Sequence, residues 1–172
     1  MPTIESIRSL LILGVDPGSQ RTGFAGLRCR GRQLSVVDSG TIKLAREGDD
    51  LSRRLGRLQQ ALEEIIDRVR PDEVAVEDVF TAHNARSALA LGQARGVVLA
   101  VAGRRCLPVF AYPPATVKQA VCGHGRADKR QVQHMVQVLL SLSTMPAADE
   151  ADALAIAICH SLRAGTDVEA DR

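Results

Sequence analysis

The chain has 172 residues, 45% of them apolar, which is enough to bury one substantial core and too few to suggest two independent domains. A formal net charge of +2 gives no bulk signal for nucleic acid, so any such signal must come from local clustering. Four scattered cysteines (Cys29, Cys106, Cys122 and Cys159), no leader-like opening and no apolar run of the roughly twenty residues a membrane span needs lead us to expect a cytoplasmic protein with buried or inert thiols.

Leu10 to Asp16 is a short apolar run stopped by Pro17-Gly18, the pattern of a central strand that ends in a carboxylate. Gly23 to Arg30 and Gln33 to Leu44 read as two more strands joined at Gly31-Arg32, so the first three strands form an antiparallel meander, with a bulge or bend at Asp38-Ser39-Gly40. Leu51, Leu55, Leu58, Leu62, Ile65 or Ile66, and Val69 recur at helical spacing and predict an amphipathic helix, which Pro71-Asp72 stops. Val74 to Glu77 is then a short buried strand, again ending in an acid. A helix over Ala85 to Gly103, a strand over Leu107 to Tyr112, and a helix opened by Pro113-Pro114 follow. After a glycine-rich loop at Cys122 to Gly125, helices are expected over Gln131 to Leu142 and from Pro146 to about Arg163. The order gives an α/β domain in which helices flank a mixed five-stranded sheet, three strands antiparallel and the rest parallel. We expect a single domain over 1–172, flexible at about residues 1–8 and 165–172.

The chemistry rests on four acids. Asp149 and Asp152 are three apart on the last helix and so share one face, which continues through the apolar Ile156 and Cys159. Carboxylates drawn together in an apolar setting repel, and a hard cation such as Mg²⁺ resolves the repulsion while keeping sites open for phosphate oxygens. Two ions about 4 Å apart would suit phosphodiester hydrolysis, with Asp16, Glu77, Asp149 and Asp152 as ligands. Singly, each acid has a bland reading as a turn cap or an answer to a helix dipole; two strand-end acids combined with a helical pair are harder to explain as solvated surface. Glu150, turned about 100° from Asp149, is expected to face solvent. Residues 149–152 spell Asp-Glu-Ala-Asp, but without a phosphate loop this does not indicate a helicase.

The segments Leu13 to Ser19, Val76 to Phe80, Leu91 to Gly96, Val117 to Gln119, Gln131 to Met135 and Ala151 to Ala157 resemble, in order and spacing, the bacterial RuvC family of crossover junction endodeoxyribonucleases. The resemblance implies an RNase H-like fold and a homodimer that makes paired, symmetric cuts in two opposed strands of a four-way (Holliday) junction. It also implies Mg²⁺ dependence with Mn²⁺ as a substitute, partnership with RuvA and RuvB, and catalysis by Asp16, Glu77, Asp149 and Asp152. By the same resemblance Phe80 intrudes on bases near the junction centre, and Lys118 and Lys129 contact the backbone.

The residue chemistry agrees. Phe80, one of only four aromatic residues, lies on a predicted loop where it could stack on an unpaired base. Lys118, Arg126, Lys129 and Arg130 surround the glycine-rich loop, which suits a phosphate-lined groove, although such runs are usually solvated surface. Arg126, Arg130 and Arg86 add charge outside the family pattern, while His83 and His124 have no assigned role, and His134 and His160 read as packing or surface. Gly92 and Gly96 interrupt a helix at about 1 kcal/mol each, so a close backbone contact, internal or intermolecular, is expected to compensate. The resemblance favours a dimer contact. Rival readings are an actin-like phosphate enzyme, which needs a second lobe, an inactive junction-binding protein, which should lack an acid, and an RNase H-like nuclease acting on RNA.

Overall fold

A strand whose side chains are apolar on both faces must lie between neighbours, and the first strand does. In the structure, a computed structural model describing residues 9–78 and 85–170 (side chains through 164), β1 (Ser9–Asp16) is central. It pairs antiparallel with β2 (Arg21–Arg30), which pairs with β3 (Gln33–Lys43). Across α1 (Leu51–Val69) the chain returns to lay β4 (Glu73–Glu77) parallel to β1. After α2 (Ala85–Arg104) it adds β5 (Val109–Tyr112) parallel to β4, giving the order β3-β2-β1-β4-β5. The remaining elements are α3 (Pro114–Cys122), α4 (Lys129–Leu139) and α5 (Ala148–Ala170). This is the mixed five-stranded sheet expected from the sequence, in the RNase H-like arrangement.

Strand alternation divides the core between the two faces of the sheet. Leu11, Leu13, Val15, Val74 and Val76 point to one face, where Leu58, Leu62 and Ile65 of α1 and Val98 and Val101 of α2 meet them. Ile12, Ala25, Leu27 and Ala75 point to the other, under α5 and its neighbours α3 and α4. Each fully buried Leu or Ile contributes about 1.5–3 kcal/mol. From Ala153 to Cys159 every side chain of α5 is buried, so this helix is enclosed all round, not merely amphipathic. It lies close on the sheet because β1 and β2 offer glycines beneath it. A Cβ on Gly14 would collide with the Ala153 carbonyl oxygen, and one on Gly23 with that of Asp149.

Several boundaries differ from the expectation for local reasons. The β2–β3 register shifts between Gly26 and Leu27, leaving Val37 as the extra residue, one place before the predicted bend. Leu107 belongs to the turn after α2, its N–H donating to the Ala102 carbonyl, so β5 starts later than predicted. α4 starts at Lys129, earlier than Gln131, because Asp128 and Gln131 form a capping box. It stops at Leu139, short of Leu142, because Ser141 takes a left-handed φ of 51°. α5 continues as helix to Ala170, past the expected end near Arg163. Cys29 and Cys159 are buried, whereas Cys106 is exposed. No described helix is long and apolar enough to cross a membrane.

Candidate active site

Asp16 and Glu77 are the last residues of β1 and β4, and because these strands are parallel neighbours with Val15 opposite Val76, both acids emerge at the same edge. By alternation both point to the α5 side, Asp16 with Ile12 and Glu77 with Ala75. The helix acids arrive through the backbone. Gly23 is the cross-strand partner of Asp16, and it is against Gly23 that the first turn of α5 packs at Asp149. One hydrogen atom in place of a side chain therefore brings the α5 N-terminus over Asp16. Asp149, in that first turn, also answers the positive end of the helix dipole. Asp152 follows one turn on, half-buried like Asp149.

The electrostatics show that the four share one space. Burial, followed by the charges of Glu77, Asp152 and Asp149, pushes the Asp16 carboxyl up to about 8, and the Lys129 ammonium only partly offsets this. Burial raises Glu77, with the Asp152 charge adding to it and Lys118 and Lys129 opposing. Burial raises Asp152 as well, against the pull of Lys129, whose Nζ lies 3.9 Å from Asp152 Oδ2. Among the described residues, no three His, Cys, Asp or Glu side chains are closed into a cation-binding group. The acids face one another without forming a tight cage, as like charges should. The donor set, all oxygen and anionic, has the chemistry of a hard-cation site.

A family model described as crossover junction endodeoxyribonuclease RuvC matches residues 12–160. The chain belongs to the RuvC family. It is 51% identical over 150 residues to the crossover junction endodeoxyribonuclease RuvC of Shewanella oneidensis, covering 87% of this chain and 86% of that one. The RuvC of Klebsiella pneumoniae is 53% identical over the same coverage. The structure of Thermus thermophilus RuvC in complex with a Holliday junction substrate superimposes with a TM-score of 0.86 and 34% identity, covering 92% of this chain and 96% of that one. RuvC membership gives the chain its class, a crossover junction endodeoxyribonuclease of RNase H-like fold.

The other residues singled out in the sequence fall as follows. Lys118 on α3 is half-buried, and Lys129 opens α4 in the open; the charge of each bears on Glu77 and Asp152. Arg126 is exposed on the turn between the two helices and Arg130 is exposed in the first turn of α4, and neither makes an ion pair among the described residues. His124 and Arg86 are exposed. Phe80 and His83 lie outside the described residues. Glu150, expected to face solvent, is instead half-buried and accepts a 2.6 Å hydrogen bond from the Ser39 hydroxyl, which ties α5 to β3. Asp78, directly after Glu77, is held by Arg95 at 3.2 Å and donates its N–H to the Tyr112 carbonyl. A lone histidine on an apolar helix gave no hint of one further feature: His160 is buried and hydrogen-bonded to both Tyr112 and Glu73.

Proposed function

We propose that this RuvC-family chain nicks two opposed strands of a four-way DNA junction as a homodimer, with Asp16, Glu77, Asp149 and Asp152 as its catalytic acids. The observation that carries this reading is the convergence of four carboxylates from two strands and a helix, with Asp16 pushed up to about 8 by burial and by the other three. Such a cluster favours a divalent cation over protons at neutral pH. Asp16 and Glu77 would hold it from the strands, Asp149 and Asp152 from the helix, and Mg²⁺, two ions per site with Mn²⁺ as substitute, fits an all-oxygen donor set. When bound, the cation supplies an activated water and neutralises charge on the cleaved phosphate.

The chain's own residues do the rest. The strand pair, fixed by the β-ladder, and the helix pair, fixed by the Gly23 contact, approach from two directions and would present their oxygens to one phosphate. Lys118 and Lys129 stand beside the acids and would draw the DNA backbone to them, with Arg126 and Arg130 extending the cationic border and Phe80 stacking on a base at the junction centre. Two-fold pairing through a second copy would give the two opposed cuts, and RuvA and RuvB are the partners that resemblance implies.

The test is cleavage of a synthetic four-way junction with mapped products. We expect paired nicks with Mg²⁺, no cutting with chelator, and an Asp16→Asn protein that binds the junction while cutting at least about a hundredfold more slowly. Normal cutting by Asp16→Asn sinks the mechanism, and preferential cutting of unbranched RNA would favour the RNA-acting rival.

A further inference from the structure

Among the described residues only Thr22 and His160 are buried polar or charged side chains, and His160 follows Ile158 and Cys159 of the α5-side core along the helix. Its Nε2 donates to Glu73 Oε2 at 2.6 Å, because a carboxylate can only accept, and the Tyr112 hydroxyl lies 2.5 Å from its Nδ1. The Phe110 ring covers the imidazole at 4.5 Å. Both polar partners come from the β4–β5 half of the sheet, and both connect to the acid edge. Glu73 opens the strand that Glu77 closes, on the same face. Tyr112 is the cross-strand partner of Glu77, and its carbonyl receives the Asp78 N–H.

α5 carries two acids and must be registered against two strands that carry one each. On the β1–β2 side the registration is steric: Gly14 and Gly23 admit the backbone of α5 at Ala153 and Asp149. No such close glycine contact serves β4, and small, smooth contacts allow a helix to slide. A pair of directional hydrogen bonds does not. An apolar side chain would fill the same volume without the cost of burying an imidazole and a phenol and partly burying a carboxylate, so the bonds serve position more than stability. At about 100° per residue His160 lies within about 20° of Asp149 on the helix, three turns along, so fixing it fixes the rotation of the acid face.

We infer that the Tyr112–His160–Glu73 chain is a positioning device that sets Asp149 and Asp152 relative to Glu77, and thereby sets the site's affinity for a divalent cation. This rests on the reading of the four acids as the cation site. The hydrogen-bonded chain acts through the register of α5, three turns from Asp149, so the expected scale is the lower end of the roughly 10- to 100-fold that direct outer partners of metal ligands contribute.

The experiment is a titration of the DNA-free full chain with Mn²⁺, followed by electron paramagnetic resonance, alongside junction affinity measured without metal. Tyr112→Phe and His160→Leu should each weaken Mn²⁺ binding by about tenfold or more with junction affinity unchanged, and His160→Gln, which keeps a donor and an acceptor, should recover most of the loss. Wild-type Mn²⁺ affinity in folded Tyr112→Phe overturns the inference, as does an equal loss of metal and junction affinity. If His160→Leu fails to fold, Tyr112→Phe, which removes a single oxygen, decides alone. Asp16→Asn separates the two ideas: unchanged Mn²⁺ affinity there refutes the acid site itself, whatever the Tyr112 result.

Discussion

Helix α5 carries polar groups in two buried stations on one face, and they are built in opposite ways. At His160 both ring nitrogens have partners, and no charge is left facing another of the same sign. At the other station Asp149 and Asp152 add their charge to the space around Asp16, burial drives Asp16 and Asp152 toward their protonated forms, and Lys129, 3.9 Å from Asp152, only partly offsets this. A station meant only to hold the fold satisfies its groups. One that leaves like charges together within the same core is kept for something that arrives from outside. The difference separates a group that positions from a group that binds, without reference to any relative.

Substitution can break one station and leave the other. Gly23→Ala has the largest expected effect: its Cβ meets the Asp149 carbonyl oxygen, a backbone atom that cannot turn away. Shifting the α5 N-terminus by about an ångström should slow junction cutting by roughly 10²-fold, while Gly56→Ala, where a Cβ meets nothing within 4 Å, should leave it unchanged. Single-turnover rates for the two variants check this.

The second effect is on pH. Because the folded protein holds the Asp16 carboxyl at about 8, above its ordinary unfolded value near 3.9, folding favours the protonated form. The metal-free protein is therefore most stable at low pH with respect to this group and loses that contribution as pH rises toward 8. Asp16→Asn should melt higher than wild type at pH 8 without metal, by about 4 °C or more, and converge with it near pH 4. Scanning calorimetry across that range with chelator reads the difference, and an unchanged profile would mean that Asp16 is not under this pressure.

The smallest effect concerns the border. Lys129 is exposed and 3.9 Å from Asp152, so Lys129→Ala should barely move stability. Junction binding should weaken across all sequences, with the salt slope of log Kd falling by about 1.

Much of this was legible in the chain. Alternation and period placed all five strands and the five helices, and Asp16 and Glu77 could be read as strand-end acids because Pro17-Gly18 and the short Val74 to Val76 run mark where those strands stop. Helical spacing was enough to pair Asp149 with Asp152. What could not be read depended on distant partners. His160 meets Tyr112 and Glu73 across 48 and 87 residues, and no local pattern announces that a histidine on an apolar helix is bonded at both nitrogens. Glu150 was assigned to solvent by angle alone, and only the approach of Ser39, 111 residues away, makes it a tie. Gly23 looked like an ordinary strand start until α5 was laid on it.

The glycines of α2 lead elsewhere. The sequence led us to expect a close contact over Gly92 and Gly96, internal or intermolecular; among the described residues a Cβ at either would meet nothing within 4 Å. Each weakens the helix by about 1 kcal/mol, and no close contact among the described residues offsets it. If a second copy seats there, as the RuvC resemblance favours, the effect of Gly92→Ala depends on dilution. The added methyl would strengthen the isolated helix at nanomolar concentration and obstruct the partner at micromolar concentration, so one substitution would change sign along a dilution series.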